Sequence, residues 1–125
     1  MKSVNTNNAP KAIGPYSQAI VAGELVFCSG QVALTPSGEM VAGGVREQTE
    51  QVFKNLEAVL REAGATLTSV VSVNVYLRSM NDFKDMNEVY AAAFGDHKPA
   101  RATVGVSELP KNALVEVACV ATLSK

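Results

Sequence analysis

Two charged residues stand in otherwise apolar stretches near the end of the 125-residue chain, and their types suit work on a small anionic molecule. Arg101 carries a planar guanidinium that can bind a carboxylate through two parallel hydrogen bonds. Glu116 lies in an apolar run, where partial burial raises the pKa of a carboxyl group unless a cation opposes it. Such a carboxylate can hold and polarise a water molecule. Two plainer interpretations remain open: an Arg101–Glu116 ion pair that only orders an interface, and a purely structural carboxylate.

Three further positions are candidates for lining a site. Tyr16 follows the rigid Gly14-Pro15 step and can present its phenol to a neighbouring chain, although most such tyrosines only pack and form hydrogen bonds. Ser29 and Gly30 form a small polar step after an apolar strand, which suits either the approach of a ligand or a β-bulge. One His and two Cys are too few ligands for a Cys/His zinc site within the chain.

The elements that must position these residues follow from the spacing of apolar residues. Recurrence every three to four positions predicts two helices, about Val45 to Ala63 and Asp82 to Phe94. The first dozen residues are expected to form an irregular arm. Short apolar or β-branched runs predict five strands, at about 17–21, 25–34, 70–77, 101–106 and 114–123. The order β-β-α-β-α-β-β predicts one domain over residues 1–125, an α/β (α+β) sandwich with a mixed sheet and two helices on one face.

Side-chain alternation along the strands predicts that one sheet face is left uncovered. Two helices can cover only one face, yet both faces of the last strand are mostly apolar. Soluble monomers rarely expose a large apolar face, so the pattern predicts a homo-oligomer.

Alternation also predicts where the two charged residues lie. The more apolar positions of the strand that contains Arg101 are expected to face the helices: Ala102, Val104 and Val106. Arg101 and Thr103 are then left on the other face of the sheet, where the same argument places Glu116. Arg101 and Glu116 are therefore expected on one shared, intersubunit face.

Composition narrows the class of protein and its compartment. The chain is 47% hydrophobic and 18% charged, with a formal net charge of -1. This balance gives no long-range attraction to nucleic acid or anionic lipid, so we expect neither as a partner. No run of 18 apolar residues predicts a membrane span, and no apolar run follows Lys2 as in a signal peptide. Cys28 and Cys119 are interpreted as reduced, buried thiols of a cytoplasmic protein.

Four stretches of the sequence together resemble the RidA/YjgF family, the reactive-intermediate (imine) deaminases. They are IGPYSQAI at 13–20, FCSGQVAL at 27–34, FKDMNEVYAAAF at 83–94 and PARATVGVSELPKNALVEVACVA at 99–121. They occur in the family's order and span nearly the whole chain beyond residue 8. The resemblance implies a homotrimer of chorismate-mutase-like subunits, with the uncovered sheet face at the trimer core and one site in each cleft between neighbours.

The resemblance also implies an activity, the hydrolysis of 2-imino acids and their enamine tautomers to 2-oxo acids and ammonia. Pyridoxal-phosphate (PLP) dehydratases release these imines, among them 2-iminobutanoate and 2-iminopropanoate, and the deaminase itself uses no cofactor and no metal. A non-catalytic small-molecule-binding trimer or a chaperone-like trimer of the same family is the alternative. The net charge and the single His disfavour the nucleic-acid and ribonuclease roles linked to the wider family.

Six residues match the family's site residues. Arg101 matches the arginine that holds the substrate carboxylate, and Glu116 matches the glutamate proposed to position the attacking water. Tyr16 matches the tyrosine that lines the cleft, and Ser29-Gly30 matches the serine–glycine step at its wall. Thr103 stands where several family deaminases have Cys and where the family contacts ligand through the backbone. Threonine at this position argues against a cysteine nucleophile and is compatible with imine hydrolysis.

Overall fold

The computed structural model describes residues 1–124, and it confirms a mixed sheet with two helices. Short 3₁₀ turns lie at Leu67–Ser69, Met80–Asp82 and Pro110–Asn112. Within these residues the strands and α-helices follow one another as β1 (Lys2–Val4), β2 (Ala19–Ala22), β3 (Leu25–Gln31), α1 (Val45–Ala63), β4 (Val70–Leu77), α2 (Phe83–Phe94), β5 (Ala100–Gly105) and β6 (Val115–Thr122).

The strands form one sheet in the order β1-β2-β3-β6-β4-β5. All neighbouring strands are antiparallel except β4 and β5, which are parallel and are joined by α2 as the crossover that such a pair requires. A hairpin turn at Gly23-Glu24 joins β2 and β3, with Ala22 paired to Leu25. The sheet therefore places β6, with Glu116, in its interior and β5, with Arg101, at its edge.

Helix α1 has the bounds that its spacing predicts. The Gly44 N–H donates to Glu47 Oε1 at 2.8 Å, which satisfies one of the free donors at the start of the helix. Gly64 ends the helix at φ 92°, the left-handed conformation that glycine adopts without strain. Glu57 and Arg61 form the predicted pair one turn apart, at 3.6 Å. The apolar stripe is buried against the sheet and α2, through Val52, Phe53, Leu56, Val59 and Leu60.

The N-terminal arm is more ordered than the sequence predicts. Lys2–Val4 forms an edge strand paired with β2. The segment 5–18 is irregular but anchored, because the buried Gln18 side chain accepts a hydrogen bond from the Thr6 N–H and donates to the carbonyls of Thr6 and Pro10. A three-residue strand of which one side chain is buried leaves little hydrophobic pattern to detect.

The helices cover one face of the sheet and leave the other open. Along β6 the predicted alternation is confirmed, with the helix-facing residues buried: Val115, Val117, Cys119 and Ala121. Large apolar side chains stay exposed on the open face, from 38% at Leu25 to 46% at Val104, with Phe27 and Val71 between them. The accessible surface of one chain is 6879 Å², against roughly 6,400 Å² for a typical monomer of this mass. This open face is the apolar surface predicted for contact with another copy.

Strand β4 departs from the predicted alternation at its first residues. The pairing of β4 with β6 shifts register between Val70 and Ser72. As a result Val70 is buried and Val71 is exposed, whereas strict alternation would place Val71 on the buried side with Val73 and Val75. A bulge changes which side chain points inward, and apolar composition alone does not reveal it.

Strand β5 presents the opposite face from the one predicted. Arg101 and Thr103 pair in register with Val73 and Val75, two buried residues of β4. Directly paired residues point to the same side of a sheet, so Arg101 and Thr103 face the helices. The helix-side positions of this edge strand lie at the rim of α2, where a long charged side chain keeps its head in water. The apolar residues expected on the helix side are instead on the open side or beyond the strand: Ala102, Val104 and Val106.

Candidate functional site

A cleft of about 700 Å³ opens beside β3 and β6. Four of the residues predicted from the sequence line it together: Tyr16, Ser29, Gly30 and Glu116. The remaining lining residues are apolar or basic: Ile13, Val32, Leu34, Pro110 and Lys111. The cleft thus combines a small apolar wall with one acidic and one basic side chain.

Glu116 is half-buried on the open side of β6, opposite Tyr76 of β4. Burial raises the pKa of its carboxyl group above the ordinary value of 4.5, as the apolar surroundings predict. Within residues 1–124 the carboxylate forms neither an ion pair with Arg101 nor another side-chain hydrogen bond. Within a single chain its oxygens are therefore available to a water molecule, a ligand or the Arg101 of another copy.

Gly30 provides the space that the Glu116 carboxylate occupies. The pairing of β3 with β6 shifts register between Cys28 and Gln31, which confirms the β-bulge interpretation of this step. A Cβ atom at Gly30 would overlap the carboxylate and lie 2.9 Å from Glu116 Cδ, closer than non-bonded carbons approach. The absence of a side chain at Gly30 therefore sets the position of the Glu116 carboxylate in the cleft.

The segment that carries Tyr16 forms the outer wall of the cleft. Ser29 donates from its backbone N–H to the Gln18 carbonyl at 3.0 Å and from its hydroxyl to the Ser17 carbonyl. The Tyr16 N–H donates to the Gly14 carbonyl at 2.9 Å, and the Tyr16 side chain is 54% exposed. The hydroxyl of Ser29 thus positions the arm, and the Tyr16 phenol is free to contact a ligand or a second chain.

The opposite wall is a strained turn that carries Lys111. Lys111 and Asn112 have φ values of 59° and 57°, a left-handed conformation that is uncommon outside glycine. Arg78 Nη1 stabilises the turn by donating to the carbonyl and to Oδ1 of Asn112 at 3.1 and 3.2 Å. Pro110 begins this turn, and no sequence signal indicated that Lys111 would line the cleft.

Arg101 lies apart from this cleft, on the helix side of β5. Its Nη1 donates to Asn87 Oδ1 at 2.6 Å, and its guanidinium carbon lies 4.6 Å from the Tyr90 ring centroid and 5.6 Å from the Phe83 centroid. No carboxylate among residues 1–124 pairs with it. A second pocket of about 440 Å³ borders Arg101 and includes further basic side chains, His97 and Lys98.

Two hydroxyl groups near Arg101 are buried without a hydrogen-bond partner among the described residues. They belong to Tyr90 and Thr103. Burial raises the pKa of Tyr90, and the positive charge of Arg101 opposes this rise. Because Thr103 shares the helix-facing side of β5 with Arg101, its side chain does not reach the Glu116 cleft.

Asn87 is the site residue that sequence reasoning missed. The apolar residues Phe83 and Tyr90 recur at helical spacing along α2, and Asn87 lies on the same side of the helix between them. A polar residue within an apolar stripe is a detectable signal. It indicates a partner on the neighbouring strand, which here is Arg101.

The six predicted residues therefore form two groups on opposite faces of one sheet. Tyr16, Ser29-Gly30 and Glu116 line the cleft, whereas Arg101 and Thr103 lie on the helix side at the edge strand. A small molecule cannot contact both faces of one sheet. Both groups can act on one ligand only when they come from two copies of the chain.

Metal ligands and reactive thiols do not add a further site within the described residues. No three His, Cys, Asp or Glu side chains among residues 1–124 are grouped to hold a metal ion. Cys28 and Cys119 are both buried, as predicted, and pair directly across β3 and β6. A hydrogen bond with Cys28, together with burial, raises the pKa of the Cys119 thiol, so this thiol stays protonated.

No α-helix in the part of the chain that the structure describes has the length and apolar character to cross a membrane.

Known proteins resemble this chain over almost its full length. A sequence model of the family described as Endoribonuclease L-PSP matches residues 6–123. A RutC family protein of Pyrococcus horikoshii is 54% identical over 117 residues, covering 93% of each chain. A protein of Dermatophagoides farinae named 2-iminobutanoate/2-iminopropanoate deaminase is 46% identical over 91% of this chain and 90% of its own. The crystal structure of E. coli TdcF with bound serine matches with a TM-score of 0.93 and 36% identity, covering 98% of both chains.

Proposed function

Because this chain belongs to the RidA/YjgF family, whose sequence model is described as Endoribonuclease L-PSP, we propose that it hydrolyses 2-imino acids to 2-oxo acids and ammonia. The substrates are 2-iminobutanoate and 2-iminopropanoate, the two compounds in the name of the Dermatophagoides relative. The observation that carries the proposal is the half-buried Glu116 carboxylate, free of partners within residues 1–124 and exposed to a cleft of substrate size.

The functional unit of this proposal is a homotrimer with one site between each pair of neighbours. In each site Arg101 and Thr103 of one copy meet Tyr16, Ser29-Gly30 and Glu116 of the next. Two features support this arrangement: the two groups lie on opposite faces of one sheet, and the open face exposes Phe27, among other apolar side chains. The open faces pack at the centre of the trimer, which removes this apolar surface from water.

The first step is the binding of the substrate carboxylate. The guanidinium of Arg101, already bonded to Asn87 through Nη1, binds the carboxylate with its remaining N–H groups. Serine, the ligand named for TdcF, carries the same carboxylate group next to a nitrogen-bearing carbon. Fixing the carboxylate fixes the imine carbon one bond away, and this positioning lowers the barrier for the addition of water.

The second step is the addition of water to the imine carbon. Glu116 accepts a proton from the water as the new C–O bond forms, and the electron pair of the C=N bond moves to nitrogen, which takes up a proton. The resulting carbinolamine then breaks its C–N bond, so ammonia leaves and the carbon becomes a carbonyl. One imine and one water are consumed, and one 2-oxo acid and one ammonia are formed. The raised pKa of Glu116 makes it a stronger base than an exposed carboxylate.

The chemistry assigned to these residues requires no cofactor. An imine carbon is already electrophilic, so water activation and positioning are sufficient to accelerate its hydrolysis. The proposal places the protein in the cytoplasm, with PLP-dependent dehydratases as the source of its substrates and with neither nucleic acid nor membrane as a partner. The net charge of -1 agrees with the last point.

A coupled assay tests the activity directly. A threonine dehydratase generates 2-iminobutanoate in situ, and semicarbazide traps the imine that remains, so that its decay is measured with and without the purified protein. We expect a faster decay that is proportional to the concentration of the protein. Decay at the uncatalysed rate would favour the alternative of a non-catalytic small-molecule-binding or chaperone-like trimer.

The assembly has its own test. We predict a single species of about three times 13.1 kDa in size-exclusion chromatography with light scattering, at concentrations at which the assay detects activity. A monomeric, active protein would contradict both the trimer and the division of the site between two copies.

Gly30→Ala is predicted to lower kcat by about tenfold while the protein remains folded and assembled. The added Cβ overlaps the Glu116 carboxylate and moves it from its place in the cleft, and a misplacement of about 1 Å costs a catalytic group up to roughly 100-fold. The φ of Gly30 is not in the left-handed region, so alanine brings no backbone strain. Gly44→Ala, at the start of α1, controls for the loss of a glycine, because Gly44 has a φ of -96° and an added Cβ there meets no atom closer than 3.9 Å. Wild-type kcat in Gly30→Ala would show that the position of the carboxylate is unimportant.

A further inference from the structure

The side chain of Arg101 is held in place before any ligand arrives. Its guanidinium lies over two aromatic rings of α2, with its central carbon 4.6 Å from the Tyr90 centroid and 5.6 Å from the Phe83 centroid. Its Nη1 donates to Asn87 Oδ1 at 2.6 Å. Phe83, Asn87 and Tyr90 follow one another along one side of the helix, so a single rigid element supplies all three contacts.

The rings themselves are fixed by the core. Tyr90 is 92% buried and packs against Phe53 at a centroid distance of 5.7 Å, nearly edge to face, and against Phe94 at 4.8 Å. A ring with this support cannot rotate away from the guanidinium without disturbing the core. The hydroxyl of Tyr90 has no hydrogen-bond partner among residues 1–124, so the contact with Arg101 is made by the ring face and not by the hydroxyl.

We propose that Tyr90, with Phe83 beside it, is a positioning residue that preorganises Arg101 for carboxylate binding. This inference rests on the proposed function only for the identity of the ligand. An exposed arginine loses rotamer freedom when it binds a carboxylate, and that loss weakens binding. The aromatic rings restrict the guanidinium in advance, and attraction between the cation and the ring faces keeps it there. The bound carboxylate therefore meets an arginine that has little freedom left to lose.

The test measures the affinity for 2-oxobutanoate, the product of the proposed reaction, by isothermal titration calorimetry. Tyr90→Leu is expected to raise Kd about three- to tenfold, the range of a partly desolvated cation–π contact. Tyr90→Phe keeps the ring and is expected to retain the wild-type Kd. Val26→Ala removes buried packing from β3, which pairs with β2 and β6 and not with β5, so it controls for lost packing away from Arg101 and is expected to bind normally. In imine hydrolysis Tyr90→Leu is expected to raise KM by the same factor and to change kcat less.

A double-mutant cycle separates an effect through Arg101 from a general one. In an Arg101→Ala background, Tyr90→Leu is expected to weaken 2-oxobutanoate binding no further. An equal loss in that background, an equal loss in Val26→Ala, a loss in Tyr90→Phe or no loss in Tyr90→Leu would each overturn the proposal. If Tyr90→Leu does not fold, Phe83→Leu at the half-buried second ring enters the same cycle, and an unchanged Kd there overturns the proposal. If the wild-type protein binds 2-oxobutanoate through Arg101 but hydrolyses no imine, the proposed function fails and the positioning role stands.

Discussion

Glu116→Gln is expected to lower kcat for 2-iminobutanoate hydrolysis by about 100-fold, at the lower end of the 10²–10⁴ that a general base contributes. The lower end applies because an imine is already reactive towards water. Glutamine has nearly the same shape as glutamate and fits the space beside Gly30, but its amide cannot accept a proton from water. The loss is therefore expected in kcat, with KM changed much less, because Arg101 and not Glu116 binds the substrate carboxylate.

The pH dependence of kcat tests the role of Glu116 as a base independently. Glu116 acts as a base only when it is ionised. The value of kcat is therefore expected to be low at pH values below the pKa of Glu116 and to rise as the pH passes through that pKa. Burial raises that pKa above 4.5 in a single chain. In the proposed trimer without substrate, the neighbouring Arg101 would oppose this rise, whereas a bound substrate would neutralise that arginine. The raised pKa is therefore expected in kcat, which reports the substrate complex. Glu116→Gln should remove this fall of kcat at low pH, the acidic limb of the pH profile.

Glu24→Gln is the matched control for Glu116→Gln. Glu24 is an exposed glutamate at the β2–β3 turn, so the same chemical change there should leave kcat and its pH dependence at wild-type values. Full activity in Glu116→Gln, or an acidic limb that persists in it, would remove Glu116 from the mechanism.

Arg101→Ala is expected to lower kcat/KM by about 100-fold, mainly by raising KM. Hydrogen bonds to charged groups contribute about 1.5–3 kcal/mol each, and the loss of even one strong carboxylate contact reaches this factor. Arg101→Lys keeps the charge but loses the planar fork, so it should recover only part of the activity. The measurement is steady-state kinetics on imine generated in situ, with the dehydratase in excess so that the deaminase step limits the signal.

Arg61→Ala serves as the control for Arg101→Ala. Arg61 lies on the exposed side of α1 and pairs with Glu57, so the substitution removes a positive charge of the same kind away from the site. We expect Arg61→Ala to have the wild-type KM. An Arg101→Ala protein with undiminished kcat/KM would show that another cation binds the carboxylate, and Lys111, which lines the cleft, would be the next residue to test.

The helices and most strands could be predicted from the sequence because their hydrophobic spacing is strong. The bounds of α1 and β4 were correct to the residue, and α2 differed only at its first residue, Asp82, which lies in the preceding 3₁₀ turn. Strand β3 was predicted to run to Leu34 but ends at Gln31, after the bulge beside Gly30. Bulges and short edge strands such as β1 depend on pairing partners, which one segment of sequence does not specify.

The types of the site residues were easier to predict than their placement. Tyr16, Ser29-Gly30 and Glu116 do line one cleft, because each follows from a local feature: a rigid turn, a bulge and an acidic position on an alternating strand. Arg101 was assigned to the wrong face, because the argument assumed that the apolar residues of β5 must face the helices. At an edge strand that assumption fails when the open face is itself apolar, as a surface that contacts another copy would be.

The position of Arg101 on the helix side of the sheet, and not on the open side, changes how the proposed site is built. With Arg101 and Glu116 on one face, a single chain could place both beside a ligand. With the two residues on opposite faces, no single chain contains both halves of the proposed site. In the proposal, the cleft beside Glu116 therefore receives its arginine only by assembly. Each site then combines an arginine from one chain with a carboxylate from another.

Mixed trimers of Arg101→Ala and Glu116→Gln test this division most directly. Each variant is assayed alone, and the two are then co-expressed at equal levels and purified together. An intact site needs its arginine from a Glu116→Gln chain and its glutamate from an Arg101→Ala chain. In randomly assembled trimers about one site in four meets both conditions, so about one quarter of the wild-type activity per site should be restored. Activity that stays at the level of the two separate variants would contradict a site shared between copies.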